Sequence, residues 1–402
     1  KRSYRPRPTK FSWDLNRAMK TNDKKLYLHI GTEKTGTTSI QKFLKINKQL
    51  LAEHGIGVPE RLGEEMHYYL QLMSNNDDHI DSFTMNLELS NNHKDRKKLK
   101  TAWERNFTQE VKESTLKTWI ISCETLHSRL QKQEELERLK RILRGIFEEI
   151  DIVVYLRDPL SLNISRMTEQ AKAAIKVELP NPDSLGNKFD ICDHQRTIQR
   201  WEDSMGPGNL VVRIFEKESM RNNNVIDDFI DACNLPRCNY KYPKHKNCSL
   251  SKAGLMLLNE INRYVPRRWI NKKTIPSRAL LTQYIQSTMQ KGQKFQPCED
   301  DIKMYSRYYE SSNEWVREKY FSNRKQLFNT SIQKEKKENR QKYNQQDIEQ
   351  VGVLIANIWL AKNAQINYYK ERYENLREIC ESKGVKINIC DKDKAKWTNY
   401  IE

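Results

Sequence analysis

A strand, a glycine-bearing loop and a helix follow one another without a break near the start of this chain, and that run constrains the fold more than any other. In KKLYLHI, Leu26, Leu28 and Ile30 with Tyr27 make a short apolar strand, and GTEKTGTTSIQKFLKINKQLLAEHG follows at once. There Ile40, Phe43, Leu44, Leu50 and Leu51 recur at helical spacing, and the pattern stops at Gly55. Such a run opens an α/β unit.

The order repeats downstream. TWIISCE (118–124) reads as a buried strand, and QKQEELERLKRILRGIF as a helix with Leu136, Leu139, Ile142 and Leu143 on one face. IDIVVYL (150–156) is the most β-branched run in the chain. RDPLSLNISRMTEQAKAAIK then reads as a helix with Asp158 as N-cap and Pro159 at its first position. A helix over about 189–204, a strand at NLVVRIF (209–215) and a helix at VIDDFIDACNL complete the series. The fold class expected is α/β, a parallel sheet flanked by helices. Residues 60–115 are polar and read as helix or loop. Beyond 250 no strand is expected, and 251–263, 279–290, 300–320, 333–342 and 345–380 read as charged helices. The expected organisation is a basic arm (1–24), an α/β core (25–250) and a helical C-terminal region or lid (251–402).

Charge narrows the partners. Lys+Arg 71 against Asp+Glu 53 leaves 71 − 53 = +18, with 37% hydrophobic and 31% charged residues in 402. The basic residues are spread, not striped, and no nucleic-acid motif occurs, so the charge reads as attraction for an anionic ligand, an acidic polysaccharide or an anionic membrane surface. No stretch approaches ~18 consecutive apolar residues, which argues against a spanning helix. KRSYRPRPTK lacks an apolar h-region, so the expected location is cytoplasmic. Eight cysteines are scattered without a CxxC pair. Cys233, Cys238, His245 and Cys248 form the only cluster, at spacings looser than zinc sites use, so no metal is expected. Cys380 and Cys390 flank a turn, but nothing argues for an oxidising compartment. Four N-x-[ST] sequons, at Asn106, Asn163, Asn247 and Asn329, are what an Asn-rich chain yields by chance.

The loop itself carries chemistry. In Gly31-Thr-Glu-Lys34-Thr-Gly36-Thr37-Thr38 the glycines keep Walker spacing, but the lysine lies inside the loop and Thr37 occupies its usual place. Backbone N–H groups at a helix start attract an anion, a lysine adds full positive charge, and hydroxyls donate to phosphate oxygens. An ordinary strand–helix turn is the plain alternative. Arg157 leaves the carboxyl end of a central strand, where open α/β sheets bind ligands, and its guanidinium suits a dianionic phosphate. A surface pairing with Asp158 or Glu169 is the alternative there. Ser165 on its own reads as a helix-interior hydroxyl.

LHIGTEKTGTTSIQKFL resembles the 5′-phosphosulfate loop of sulfotransferases that use 3′-phosphoadenosine 5′-phosphosulfate (PAPS), nearest the form of bacterial carbohydrate-type members. VVYLRDPLSLNIS resembles the family's 3′-phosphate element, with Arg157 at a strand end and Ser165 eight residues later. WEDSMGPGNLVVRIFEKESM, DFIDACNL, NCSLSKAGLMLLNEIN and ESSNEWVREKYF follow in the family's order, so the resemblance covers roughly 26–330. It implies transfer of a sulfuryl group from PAPS to a hydroxyl or amine of an acceptor such as a carbohydrate, without a metal. Lys34 would neutralise charge on the leaving oxygen. Thr35, Gly36, Thr37, Thr38 and Ser39 would hold the 5′-phosphate, and Arg157 and Ser165 the 3′-phosphate.

A hydroxyl acceptor needs a base. ISCETLHS, at the end of the second strand, offers Glu124 first and His127 second, and the family uses a glutamate or a histidine depending on the branch. A structural role is the alternative for either. His29, inside the first strand, reads as a core histidine, and His67 is a third and weaker candidate. Two departures stand out. Glu33 puts a carboxylate inside an anion-binding loop, and Ser39 replaces the aromatic that stacks on adenine in cytosolic relatives, leaving that contact unassigned. Competing readings are a P-loop kinase, for which neither the Walker lysine nor a Mg²⁺-binding Asp is found, and a basic module that binds acidic glycan or nucleic acid.

Overall fold

The computed structural model describes residues 23–64, 66–81, 84, 93–186, 190–244, 249–264, 276–329 and 345–383. The basic arm up to residue 22, the helix expected at 333–342, and His245, Asn247, Cys248 and Cys390 lie outside the described residues. The strands are β1 (Lys25–Gly31), β2 (Ile56–Gly57), β3 (Thr118–Ser122), β4 (Glu149–Leu156) and β5 (Leu210–Ile214). They form one five-stranded sheet in the order β2-β3-β1-β4-β5, and every pairing is parallel. The helices run α1 (Thr37–Ile46), α2 (Lys48–Glu53), α3 (Tyr68–Ser74), α4 (His93–Glu113), α5 (Thr125–Arg129), α6 (Gln133–Arg144) and α7 (Pro159–Lys172). They continue as α8 (His194–Met205), α9 (Val225–Ala232), α10 (Lys252–Tyr264), α11 (Pro276–Thr288), α12 (Glu299–Tyr320) and α13 (Gln345–Ser382). The expected α/β class is the observed one.

Period-two alternation makes the sheet two-faced. Leu26, Leu28 and Ile30 join Ile121, Ile152, Val154 and Val212 on one face, under Leu136 and Leu139 of α6, Trp201 of α8 and Val316 of α12. Tyr27, Ile120, Val153 and Tyr155 line the other, under Ile40 and Phe43 of α1 and Phe229 of α9. Burying each such side chain stabilises by roughly 1.5–3 kcal/mol, against about 1 kcal/mol for a typical hydrogen bond, so hydrocarbon decides the layering. The second face also carries polar groups. Tyr155 Oη donates to Asp228 Oδ1 at 2.8 Å, and Arg213 Nε donates to the same oxygen at 2.9 Å.

Two local features differ from the sequence reading. The helix expected to run unbroken to Gly55 divides at Asn47, whose side chain donates to Lys241 O at 2.8 Å and accepts from Lys241 N at 2.8 Å. A residue almost two hundred positions away makes that break. The polar 60–115 stretch contains α3 and α4, and β2 precedes it, a strand of two residues with no alternation to read. The Asp158 cap is as expected, with Ser161 N donating to Asp158 Oδ1 at 2.8 Å.

The chain divides into two compact units. One holds the sheet, α1–α6, α7 as far as Met167, α8, α9 and α12. Within it α12 is tied to α8 and its approach: Ser312 Oγ donates to Asp193 Oδ1 at 2.9 Å, and Tyr320 Oη donates to Glu202 Oε1 at 2.6 Å. The other holds Thr168–Val177 with α10, α11 and α13. There Asn259 pairs both ways with the Val177 backbone at 2.7 and 2.8 Å. Cys233 is buried and Cys238 half-buried, and among the described residues no group of three or more His, Cys, Asp or Glu is placed to hold a metal ion. Among the described residues no helix is long and apolar enough to cross a membrane.

Candidate active site

The strand order puts β1 where the winding changes direction: the chain goes first to β2 and β3 on one side, then to β4 and β5 on the other. Open α/β sheets bind ligands outside the carboxyl end of the strands at such a point. The loop 31–36 occupies it. Gly31 has φ +102, and a Cβ there would lie 3.4 Å from Glu124 Cα, so glycine lets the end of β3 come against the loop. Gly36 has φ +78 and caps α1, with Val225 Cγ1 only 3.1 Å from where a Cβ would sit. Lys34 holds a left-handed conformation at φ +63, uncommon for a residue with a side chain.

The loop is fastened to β4. Thr32 donates to Tyr155 O twice, through N–H at 3.0 Å and through its hydroxyl at 3.1 Å, and Thr35 Oγ1 donates to Thr32 O at 2.6 Å. Among the described residues no side chain caps α1, and no acidic residue stands in its first turn. Ser39 N and Ile40 N bond back to Gly36 O, while the N–H groups of Thr37 and Thr38 have no backbone partner among the described residues. These are the orphan donors of a helix start, an anion site by geometry.

Arg157, from the end of β4, donates through Nη1 to Lys34 O at 2.7 Å, with its guanidinium 5.6 Å from the Phe215 ring centroid. His194 Nε2 lies 2.9 Å from Arg157 O. Burial draws the Arg157 guanidinium below its ordinary value, yet arginine remains charged there. The suggested partners Asp158 and Glu169 are therefore not what fixes its position. Glu33 is balanced by Arg166 on α7, Nε to Oε2 at 3.7 Å, which accounts for a carboxylate inside the loop.

Glu124 ends β3 and precedes α5, and it accepts a hydrogen bond from the Thr37 hydroxyl. Burial raises its pKa above the usual carboxylate range. The Thr37 hydrogen bond opposes that, the charge of Glu33 adds to it, and Lys34 and Arg129 oppose it. His127, one turn on, is fully buried, with Nε2 3.0 Å from Thr197 Oγ1 and its carbonyl accepting from Arg200 at 2.9 Å. Both partners belong to α8, and burial holds the ring well below its ordinary pKa. His29 is a buried core residue, its Nδ1 2.8 Å from Ser122 Oγ and its pKa pulled down to about 3 by burial. His67 accepts from Ser122 N at 2.9 Å and is drawn down to about 4 by burial.

Thus the structure brings Lys34, Thr35, Gly36, Thr37, Glu124 and Arg157 together. Thr38 is exposed and Ser39 half-buried in the first turn of α1. Ser165 is half-buried two turns into α7. Sequence reasoning missed Arg166 and Phe215. The acid in the loop was the signal for Arg166, since a half-buried carboxylate needs a cation. Phe215 left its signal as the last aromatic at a strand's carboxyl end.

No protein-family model matches the chain, and no curated protein matches it. Among solved structures it is similar to a sulfotransferase from Alicyclobacillus acidocaldarius, at 12% identity over 55% of this chain and 85% of that one, with a TM-score of 0.36. It is similar also to the sulfotransferase domain from the curacin biosynthetic pathway, at 10% identity over 71% and 97%, TM-score 0.33. A third likeness is to the sulfotransferase domain of the Synechococcus PCC 7002 olefin synthase, at 12% identity over 71% and 94%, TM-score 0.30. At TM-scores this low, the α/β assignment stands on the sheet topology and the functional reading on the site.

Proposed function

We propose that the chain is a sulfotransferase that moves the sulfuryl group of PAPS to a hydroxyl of an acceptor, a carbohydrate being the class the sequence resemblance favours. One observation carries this reading. The phosphate-type loop meets a cation from β4 and a carboxylate from β3 at a single sheet edge, through the Arg157–Lys34 and Thr37–Glu124 hydrogen bonds. Two opposed tasks are supplied together, anion binding and proton acceptance.

The donor set fits a nucleotide with two phosphate groups. The uncapped start of α1, with the hydroxyls of Thr37, Thr38 and Ser39, would hold the 5′-phosphate, and Arg157 with Ser165 the 3′-phosphate. When bound, PAPS supplies an activated sulfuryl group whose leaving oxygen belongs to that 5′-phosphate. Lys34 would supply a full positive charge as that oxygen gains charge, which favours the transition state over the ground state. Glu124 accepts the acceptor's proton as its oxygen bonds to sulfur and the sulfur–oxygen bond to phosphate breaks. A carboxylate with a raised pKa is the better base for a hydroxyl.

Lys34→Met tests the centre of this reading. Turnover is expected to fall by ~10²-fold or more, the usual loss for one such donor, with a much smaller change in affinity for 3′-phosphoadenosine 5′-phosphate. A near-normal kcat with only KM changed would reduce Lys34 to a binding residue. Thermal shift separates the classes: the product nucleotide should stabilise the protein more than ATP with Mg²⁺ or heparin does. Greater stabilisation by ATP with Mg²⁺ would favour a kinase, and by heparin a glycan-binding module.

A further inference from the structure

A cavity of about 150 Å³ lies beside α5 and α7, lined by Ser128, Arg129, Arg166, Asp190, Tyr305 and Tyr309 among others. Its volume is roughly that which admits one six-membered ring. Most of its polar wall is already committed. Tyr305 Oη donates to Pro180 O at 2.7 Å, and Tyr309 Oη donates to Asp190 Oδ2 at 2.6 Å. Asp190 also accepts from Cys192 N at 2.9 Å.

Two groups on α5 are not committed. Ser128 is 4% exposed, and its Oγ finds no hydrogen-bond partner among the described residues. The same is true of the buried Arg129 Nε. A buried hydroxyl and a buried guanidinium nitrogen left unpaired cost free energy unless something fills the space between them. Arg166 adds a second guanidinium to the wall, held only loosely by Glu33 at 3.7 Å. The two uncommitted groups are donors, one of them on a cation, and Arg166, paired with Glu33, brings a second cation to the wall.

Position supplies the rest. Ser128 stands four residues after Glu124, and on a helix such residues share a face with Cβ atoms about 5–6 Å apart. The cavity therefore lies one turn along α5 from the carboxylate that meets the loop.

We infer that this cavity is an acceptor subsite that binds the carboxylate or sulfate group of an acidic acceptor, with Ser128, Arg129 and Arg166 as donors, so that a hydroxyl of the same molecule lies towards Glu124. The inference rests on the sulfotransferase reading for its word acceptor, but the anion site itself can be tested apart from it.

Calorimetric titration of the full chain with glucuronate, glucose 6-sulfate and glucose, with and without saturating 3′-phosphoadenosine 5′-phosphate, makes the test. At least one acidic sugar is expected to bind tenfold or more tightly than glucose, and the tighter of the two identifies carboxylate or sulfate as the group recognised. Arg129→Gln should remove at least tenfold of that affinity and Ser128→Ala several-fold, while both keep wild-type affinity for the nucleotide. Retained nucleotide affinity also reports that the variants are folded. Acidic sugars that bind no better than glucose, or bind Arg129→Gln as well as wild type, overturn the inference. So does an Arg129→Gln protein whose nucleotide affinity falls as far as its sugar affinity, which would hand the cavity to the donor. If acidic sugars bind as expected and no nucleotide binds, the sulfotransferase reading fails while the anion site stands.

Discussion

Glu124, the cap of α5, and His127, in the middle of it, are near neighbours in the chain and meet opposite surroundings. At its start Glu124 faces the loop, half-buried, with a hydroxyl donating to it and charges of both signs within reach. In its middle His127 is fully buried against α8, beside Thr197, and burial holds its pKa well below the ordinary value. Three positions along the chain separate a carboxylate that meets the loop from an imidazole enclosed against α8. What a helix packs against, rather than which titratable residue it offers, decides which of them can do chemistry.

The widest way to break this comparison is to exchange the roles. Glu124→Gln keeps shape and removes proton acceptance, so kcat is expected to fall by ~10²–10⁴-fold with the affinity for 3′-phosphoadenosine 5′-phosphate retained. Steady-state kinetics beside a nucleotide titration decide it, and retained turnover would pass the role to another base. His127→Asn should do the reverse. It would destabilise the fold by about 1–3 kcal/mol in urea denaturation, by leaving buried groups mismatched, and leave turnover per folded molecule little changed.

Acid sharpens the contrast further. His29 and His67 are drawn down to about 3 and 4 by burial, against about 6.5 in an unfolded chain. Between those values the unfolded state binds more protons. Stability should therefore be at its full value above pH 6.5 and decline as pH falls towards 4. Denaturation midpoints at pH 4.5 and 7.5 would show it, and His29→Gln should flatten the slope. Equal midpoints at the two pH values would mean that these rings are not held neutral.

The smallest effect belongs to Thr37→Val. Its hydroxyl favours the charged form of Glu124, so losing it raises the Glu124 pKa further. The acid limb of kcat should move upward by up to about one pH unit, since one unit corresponds to about 1.4 kcal/mol, the worth of one hydrogen bond. A limb that stays in place would detach Thr37 from Glu124.

The parts of this site that were legible in the sequence are those written locally. Lys34, the two glycines and the hydroxyl run lie within one strand–loop–helix, and Arg157 follows directly on the most β-branched strand. Glu124 and His127 both lie in the stretch that ends the second strand, and only the packing shows that one meets the loop and the other α8. What the sequence hid depends on distant partners. The break at Asn47 needs Lys241, the balance of Glu33 needs Arg166, and the burial of His127 needs α8. None of these pairs is marked by spacing or periodicity. β2 was invisible for another reason, since two residues become a strand only by pairing with β3.

The bond from Arg157 to the Lys34 carbonyl spans 123 positions of chain. At synthesis rates of 5–20 residues per second, about 6–25 seconds separate the emergence of the loop from that of the side chain that clasps it. The loop's hydrogen bonds to Tyr155 wait as long, and so does the pairing of β1 with β4. During that interval β1 is an apolar strand with at least one edge open, the kind of segment on which nascent chains associate. Nothing bound to the loop can complete it sooner, because the groups that fasten it come from residues not yet made. On the ribosome this chain thus passes through a stage in which the loop after β1 is made but not yet fastened, with an apolar strand edge exposed beside it.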